Sequence, residues 1–291
     1  WNFCSDNVAG ASPAILEALT RAAGGSVMPY GADPISAKVE EKLREIFETD
    51  LTAYLVATGT SANSLALSSL CPPYGAIYCH PESHIVVDEC NAPEFFTGGA
   101  KLVTVDGANG KIDAAGLEAA ISDDWAGVEH HPQPAAVSLT QASEAGTVYS
   151  PDAMGAISEV CRRHGLGLHV DGARFGNALV SLGCSAADIS WRAGVDVLSF
   201  GATKNGALAA EAVLFFRTGQ AEDFRFRRKR GGHLFSKMRF LSAQMDAYLA
   251  DDLWLGNARH ANAMARRMAD GLARLPGVEF LHELEANELF V

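Results

Sequence analysis

Apolar runs of strand length alternate with longer segments of helical periodicity along most of this chain. One apolar residue at every fourth position from Ile35 to Phe47 predicts an amphipathic helix over residues 34–48. The other runs are short and almost continuously apolar, as in strands that are buried on both faces. They cover residues 53–59, 76–79, 84–88, 101–105, 135–140, 166–171, 195–200 and 212–216.

Helix signals fall between these runs. Ser12 and Pro13 supply an N-cap and a first-turn proline, and a glycine pair follows Ala23. Residues 12–24 should therefore form a helix that starts at Ser12 and ends at this glycine pair. Further helical segments are predicted at residues 61–70, 113–121 and 151–164. Buried strands joined by helices predict an α/β fold with a mostly parallel sheet that is covered by helices.

The composition changes after Asp223, where a basic stretch, FRFRRKRGG, leads into long helical patterns and a last apolar, strand-like run. We interpret this change as a long helix that leaves a large domain, residues 1–240, for a smaller α+β domain that starts at 241–291. The helix at residues 12–24 is expected to pack on the small domain or on a partner subunit. Because the chain starts at Trp1 and stops inside an apolar run, we expect it to be part of a longer protein.

The charge and composition of the chain narrow the range of functions that it can have. The chain has 291 residues and a formal net charge of -12, which argues against nucleic acid as a partner. No apolar run has the length of a membrane span. The six cysteines form no CxxC pair, which is typical of reduced thiols in a cytoplasmic protein.

Ligands of open α/β sheets bind beyond the carboxyl ends of the strands, so the residues that follow the apolar runs are inspected first. TGTSANS, residues 58–64, follows a strand and opens a helix, and its free N–H groups at Gly59 and Thr60 could hold a phosphate. A simple N-cap is the structural alternative. The stretch lacks the glycine and lysine pattern of nucleotide-binding loops.

Two further strand ends carry charged groups. Asp171, in HVDGAR, needs a cationic or hydrogen-bonded partner to stay ionised, such as a protonated ring nitrogen or Arg174. Lys204, in SFGATKNGA, lies among small residues without a nearby carboxylate, so it is either a solvated loop lysine or a nucleophilic amine.

The histidines and the basic stretch leave alternatives open. His84 could be a satisfied core or turn residue, or a ring and proton carrier beside a cofactor. His130 and His131 have no third ligand at metal spacing, so no metal site is predicted. The basic residues 225–230 fit a solvated helix face, a subunit contact or an additional phosphate contact.

Taken together, the phosphate cradle, the strand-end Asp171 and the later Lys204 match what pyridoxal phosphate requires. That cofactor needs an anchor for its phosphate, an anion against its ring nitrogen and an amine for its aldehyde.

The motifs SDN, PYGADP, ATGTSANSLALSSL, HVDGARFGNA and FGATKNG resemble those of the low-specificity L-threonine aldolases. These are fold-type I pyridoxal phosphate enzymes of the β-eliminating lyase group. The resemblance runs from about Phe3 to the end of the chain. It implies a seven-stranded type of sheet, a homo-oligomer of two or four subunits with shared active sites, and an amino acid substrate.

The resemblance also implies individual roles. Lys204 would bind the cofactor aldehyde covalently, Asp171 would pair with the ring nitrogen, and His84 would stack on the ring. The phosphate would be held by Gly59 and Thr60, with Lys229 of a neighbouring subunit. Arg174 would lie by the ring oxygen of the cofactor and, with Ser5, would contact the substrate carboxylate. His130 would lie near the β-substituent of the substrate, and Tyr30 near the substrate pocket of a partner subunit.

The family extends some tens of residues beyond this ending and supplies a further carboxylate-binding arginine there, which this chain does not contain. The implied reaction is retro-aldol cleavage of threonine or allo-threonine to glycine and an aldehyde. His84, His130 or a water that they hold would take the hydroxyl proton. The alternatives are another lyase or a transaminase on the same fold, or a non-catalytic pyridoxal-binding protein.

Overall fold

The computed structural model describes residues 2–121 and 126–291. Its strands are β1 Thr52–Val56, β2 Gly75–Cys79, β3 Lys101–Thr104, β4 Gln133–Thr140, β5 Gly167–Gly172, β6 Val197–Gly201 and β7 Glu211–Phe215. Its helices up to the middle of the chain are α1 Pro13–Ala22, α2 Pro34–Phe47, α3 Gly59–Leu70, α4 His84–Val87, α5 Ala92–Thr97 and α6 Ala114–Ile121. The later helices are α7 Pro151–His164, α8 Phe175–Leu182, α9 Thr218–Arg230, α10 Arg239–Leu249 and α11 Leu253–Leu272.

The seven strands form one sheet in the order β1-β7-β6-β5-β4-β2-β3. The pairs from β3 across to β6 are parallel, whereas β7 runs antiparallel to both β6 and β1. The predicted α/β fold with a mostly parallel, helix-covered sheet is therefore confirmed. The reversal of β7 brings its first residue to the edge where the parallel strands end.

Aromatic packing fixes the loops that leave this edge. Phe200 in β6 packs edge-on against Phe175 and Trp254, with ring centroids 5.8 and 5.6 Å away. Phe175 directly follows the loop that carries Arg174, and Phe200 precedes the loop that carries Lys204. Both rings are fully buried. Burying such rings contributes several kcal/mol in total, about 1.5–3 kcal/mol for each side chain. The residues that flank these two loops are therefore firmly packed in the core.

One of the predicted strands is a helix. Residues 84–87 form the single turn α4, because Val86 and Val87 donate their N–H groups back to the Ser83 carbonyl. β2 pairs directly with β3, so no strand lies between them. A run of three apolar residues does not distinguish a buried helical turn from a strand, and Ile85 alone supplies the buried side chain here.

The C-terminal part also differs from the prediction. The single long helix is replaced by α9, α10 and α11, since Gly231 and Gly232 end α9 and Gly232 has a φ of 80°. The final apolar run forms no strand, and Ala286 donates its N–H to Gly146 instead. α1 packs on α10 through the buried Ala18, Ala22 and Ala243. A domain division at residue 240 stays a prediction.

No helix in residues 2–121 and 126–291 combines the length and the apolarity that a membrane crossing requires.

Candidate active site

The carboxyl edge of the sheet collects most of the predicted site residues. Asp171 is the fifth residue of β5 and lies opposite Thr140, the last residue of β4. β5 continues beside β6 with Gly172 opposite Phe200, and Lys204 follows three residues after β6 ends. The register therefore places Asp171 and Lys204 on adjacent strand ends.

Asp171 is buried and rigidly held. Its Oδ2 accepts a 2.7 Å hydrogen bond from the Asn63 amide, and its Oδ1 accepts one of 3.0 Å from the Ala173 N–H. Asn63 lies on the first turns of α3, where it is 1% exposed. Two fixed donors orient the carboxylate without supplying a positive charge, so the charge of Asp171 remains available to a cationic ligand group.

The same Asn63 amide connects Asp171 to a second carboxylate. Its Nδ2 donates at 2.8 Å to Oε1 of Glu89, which also lies 2.8 Å from His84 Nδ1. The hydrogen bond to Glu89 raises the pKa of His84 above the usual histidine value, and the charge of Asp171 adds to this. Burial raises the pKa of Glu89. Glu89 thus favours a proton on Nδ1, which leaves Nε2 as the free acceptor of the neutral ring.

His84, Glu89 and Asp171 bring one potential metal-ligand atom each within 4.8 Å of one another. The Asn63 N–H groups, however, point at both carboxylates. A donor N–H in that position competes with a cation, whereas it suits two carboxylates that face an organic cation and an imidazole. The described cluster is therefore better matched to a protonated ring ligand than to a metal.

The start of α3 fits a phosphate. The Thr58 side chain accepts the Ser61 N–H at 3.2 Å, and the Thr58 carbonyl accepts the Ala62 N–H. In the described part of the chain, the N–H groups of Gly59 and Thr60 have no hydrogen-bond partner. Space around the Gly59 Cα is open, with no atom within 4 Å of a hypothetical Cβ. A twelve-residue helix adds a favourable dipole, so these two N–H groups can bind an anion.

Lys204 sits in a short 3₁₀ turn, Thr203–Asn205, and is half-buried. Within the described ranges its amine makes no hydrogen bond or ion pair. Gly201, just before this turn, approaches the Ala173 backbone so closely that a Cβ would lie 2.7 Å from Ala173 Cα. Only glycine allows the loops of Asp171 and Lys204 to come this near.

Arg174 is buried and already paired with acids. Its Nε lies 2.8 Å from Asp6 Oδ2, and its Nη2 lies 2.9 Å from Glu288 Oε1. Ser5 is adjacent to Asp6 and accepts the Asn7 N–H. The structure thus brings Ser5 and Arg174 together, and a substrate carboxylate at Arg174 would compete with Glu288.

Glu144 is a further acid near these charges. It lies four residues beyond the end of β4 and is partly buried, and among the described residues its side chain takes part in no hydrogen bond or ion pair. Burial and Asp171 raise its pKa, whereas Arg174, Lys204 and His84 counteract this. A carboxylate with a raised pKa that faces these charged groups is a candidate for proton exchange with them.

Three predicted residues do not join this cluster. His130 lies in an exposed turn before β4, and the length of that strand, roughly 23 Å at about 3.3 Å per residue, separates it from Asp171. Lys229 lies near the end of α9 and is exposed, with its amine 5.2 Å from the centre of the Tyr30 ring. Tyr30 is 49% exposed. Their roles stay predictions.

Sequence reasoning missed Asn63, Glu89, Glu144, Glu211 and Glu288. Asn63 had a usable signal, because it lies one helical turn after Gly59 on a helix whose start was recognised. Glu89 follows His84 by five residues and would have required the α4 turn to be recognised. Glu288 comes from the far end of the chain, and no local pattern connects it with Arg174.

The fold and the site together define the chain as a fold-type I pyridoxal phosphate protein. The sequence profile described as beta-eliminating lyase matches residues 2–291. This chain therefore belongs to the beta-eliminating lyase family.

Similar proteins agree with this assignment. The chain is 47% identical over 291 residues to a low specificity L-threonine aldolase of Pseudomonas aeruginosa, covering 99% of this chain and 83% of that protein. It is 46% identical over 290 residues to a protein of the same description from another Pseudomonas strain, with the same coverage. A solved Leishmania major threonine aldolase superposes with a TM-score of 0.91 at 30% identity, covering 98% of this chain and 82% of that one.

Proposed function

We propose that this chain is a pyridoxal phosphate-dependent aldehyde-lyase that cleaves L-threonine, L-allo-threonine and related β-hydroxy-α-amino acids. The products are glycine and an aldehyde, which is acetaldehyde when the substrate is threonine. The observation that carries the proposal is the position of Asp171 and Lys204 at adjacent strand ends, with His84 close to Asp171. The chain is also 46–47% identical to proteins with this described activity.

The residues fit the cofactor group by group. The free N–H groups of Gly59 and Thr60 would hold its phosphate, and Asp171 would face its ring nitrogen. Lys204 supplies the amine that would bind its aldehyde. When bound, pyridoxal phosphate supplies an electron sink for the pair released from the broken Cα–Cβ bond.

His84 is the proposed base. Glu89 binds Nδ1, so the neutral ring presents Nε2 as the acceptor for the β-hydroxyl proton. Removal of that proton lets the hydroxyl oxygen become the carbonyl oxygen of the leaving aldehyde, while Cα keeps the electron pair. A positioned base of this kind accelerates such a step about 10²- to 10⁴-fold.

Arg174 and Ser5 are the proposed contacts for the substrate carboxylate. Arg174 is held by Asp6 on one side, so its guanidinium keeps a fixed orientation while a substrate displaces Glu288. Such a clamp orients Cα and thereby selects the bond to be broken.

The proposal includes an assembly of identical chains. Lys229 and Tyr30 are exposed, and the Lys229 amine lies over the Tyr30 ring, which suits a contribution to a partner's phosphate site and substrate pocket. Sedimentation at varied protein concentration tests this, since a monomer at all concentrations would contradict it. A cytoplasmic location also stays a prediction; the six cysteines are free in the structure.

Product analysis with threonine tests the activity. Glycine and acetaldehyde in equal amounts are expected from wild type and from the matched surface variant Lys38→Ala. Lys204→Ala should lose both turnover and the absorbance of lysine-bound cofactor. The family description favours β-elimination as the rival reaction, which would give 2-oxobutanoate and ammonia and no glycine. That product pattern would overturn the proposal.

A further inference from the structure

Glu211 is a carboxylate in an otherwise apolar strand. The remaining residues of β7 are Ala212, Val213, Leu214 and Phe215, and all five are buried. Glu211 itself is 6% exposed. Placing an acid there costs free energy unless hydrogen bonds compensate for the lost water.

The position of Glu211 relates it directly to the lysine turn. Because β7 runs antiparallel, Glu211 lies opposite Gly201 of β6 on one side and Val56 of β1 on the other. These two residues end the strands that lead to Lys204 and to the Thr58–Gly59 cradle. Glu211 therefore lies beneath both, at the same edge as Asp171.

Its hydrogen bonds all go to the residues that precede Lys204. Oε2 accepts the Ala202 N–H at 3.0 Å, and the Thr203 N–H and side chain lie against the same carboxylate. The Thr203 hydroxyl itself donates to the Ala210 carbonyl at 3.4 Å and accepts the Ala210 N–H at 3.2 Å. Burial raises the pKa of Glu211 to about 7, and the nearby charge of Asp171 adds to this. Glu211 makes no ion pair in the described structure.

The other side of the turn is held separately. Asn205 donates at 2.8 Å both to the Tyr248 hydroxyl and to the Trp254 carbonyl, and Tyr248 donates to the Gly201 carbonyl. With Asn205 fixed after Lys204 and Glu211 binding the backbone before it, the lysine backbone has one orientation. The long side chain alone remains free to move.

We infer that Glu211 is a positioning residue that binds the backbone of Ala202 and Thr203 and so fixes the direction in which Lys204 leaves the sheet. This inference rests on the proposed function for the role of Lys204, whereas the backbone clamp itself does not depend on any cofactor. Glutamine has one acceptor oxygen instead of two and places an N–H group against a backbone donor. Glu211→Gln should therefore loosen the turn while it preserves the side-chain volume.

The first measurement is amide hydrogen exchange of the peptide around residues 200–206 in cofactor-free protein. At about pH 8, where Glu211 is mostly charged, exchange of the Ala202 and Thr203 amides should accelerate about tenfold or more in Glu211→Gln, because a lost hydrogen bond to a charged acceptor lowers protection. Asp196→Asn is the matched control, since Asp196 is a buried acid at the opposite end of β6 and accepts the Leu168 N–H at 2.8 Å. Unchanged exchange at residues 202 and 203 in Glu211→Gln would overturn the inference.

The second measurement is the rate at which added pyridoxal phosphate becomes attached to Lys204, trapped with borohydride and quantified by mass spectrometry. We expect a decrease of about tenfold in Glu211→Gln and none in Asp196→Asn, because a misdirected amine meets the aldehyde less often. The absorbance of the attached cofactor should also titrate differently with pH. Equal trapping rates and equal titrations would overturn the positioning role.

A third variant keeps the test valid if Glu211→Gln does not fold. Thr203→Val removes the hydroxyl that lies against Glu211 and bonds the Ala210 backbone, and it keeps the side-chain shape. It should therefore slow trapping in the same direction by a smaller factor. Cofactor trapping on the wild-type protein distinguishes failure of the proposed function from failure of the positioning role of Glu211. If wild type captures no cofactor at Lys204, the proposed function fails while the exchange result still decides whether Glu211 clamps the turn.

Discussion

Glu89 Oε1 lies 2.8 Å from His84 Nδ1 and accepts, at the same distance, a hydrogen bond from the Asn63 amide that also binds Asp171. The proposed base and the proposed partner of the cofactor ring are therefore connected through one buried asparagine. A substitution at Asn63 or Glu89 should therefore alter the orientation of both His84 and Asp171.

Replacing Glu89 by Gln should shift the pH dependence of kcat/KM. The Glu89 hydrogen bond raises the pKa of His84. A base is active when it is neutral, so wild-type activity rises with pH through this elevated value. The variant loses the raising effect, and its acidic limb should move to lower pH while the rate falls about tenfold or more, because Nδ1 is less well held. An acidic limb at the wild-type position would rule out this carboxylate as the cause.

Replacing Asn63 by Ala should destabilise cofactor-free protein by about 1–3 kcal/mol, because two buried carboxylates lose a donor. Urea unfolding measures the change. Ser64→Ala on the same helix is the control, since its hydroxyl makes one long 3.3 Å contact with Glu89. Equal destabilisation of the two variants would show that the bridge between Asp171 and Glu89 contributes nothing specific.

Glu288→Gln should change how KM for threonine depends on pH. Burial raises the pKa of Glu288 to about 7, so this acid loses its charge as the pH falls through that value. Its competition for Arg174 then weakens, and wild-type KM should decrease from about pH 8 to about pH 6, whereas the variant should vary less. Glu285→Gln is the control, since Glu285 binds the Val148 N–H and Lys111 instead. The same pH dependence in wild type and Glu288→Gln would exclude this competition.

Gly201→Ala should separate the loops of Asp171 and Lys204, since the added Cβ would meet the Ala173 backbone at 2.7 Å. We expect destabilisation by about 1–3 kcal/mol and loss of cofactor binding. Gly155→Ala in α7 is the control, where no atom lies within 4 Å of the new Cβ and helix propensity should increase stability by about 0.5–1 kcal/mol. Thermal unfolding measures the changes in stability, and titration with pyridoxal phosphate measures the affinity for the cofactor. Normal cofactor affinity in Gly201→Ala would contradict the close approach.

The strands at residues 135–140, 166–171 and 195–200 were predictable because buried parallel strands have a continuous apolar signal. Asp171 and Lys204 were predictable because strand ends mark the ligand edge of such a sheet. The helical turn at His84 was not predictable, since the three apolar residues that follow His84 fit either a helix or a strand. The Glu288–Arg174 pair and the contact of Glu211 with Ala202 depend on long-range packing and on the direction of β7, for which local periodicity contains no information.

The reversed direction of β7 also constrains how this protein can vary. The connection from Gly206 to Ala210 closes a hairpin between the Lys204 turn and the buried Glu211, so its length sets the distance between them. Insertions elsewhere around the sheet can be absorbed at the surface. A residue added here would shift Lys204 relative to Glu211. We therefore expect the six residues between Lys204 and Glu211 to tolerate substitution but not a change in number.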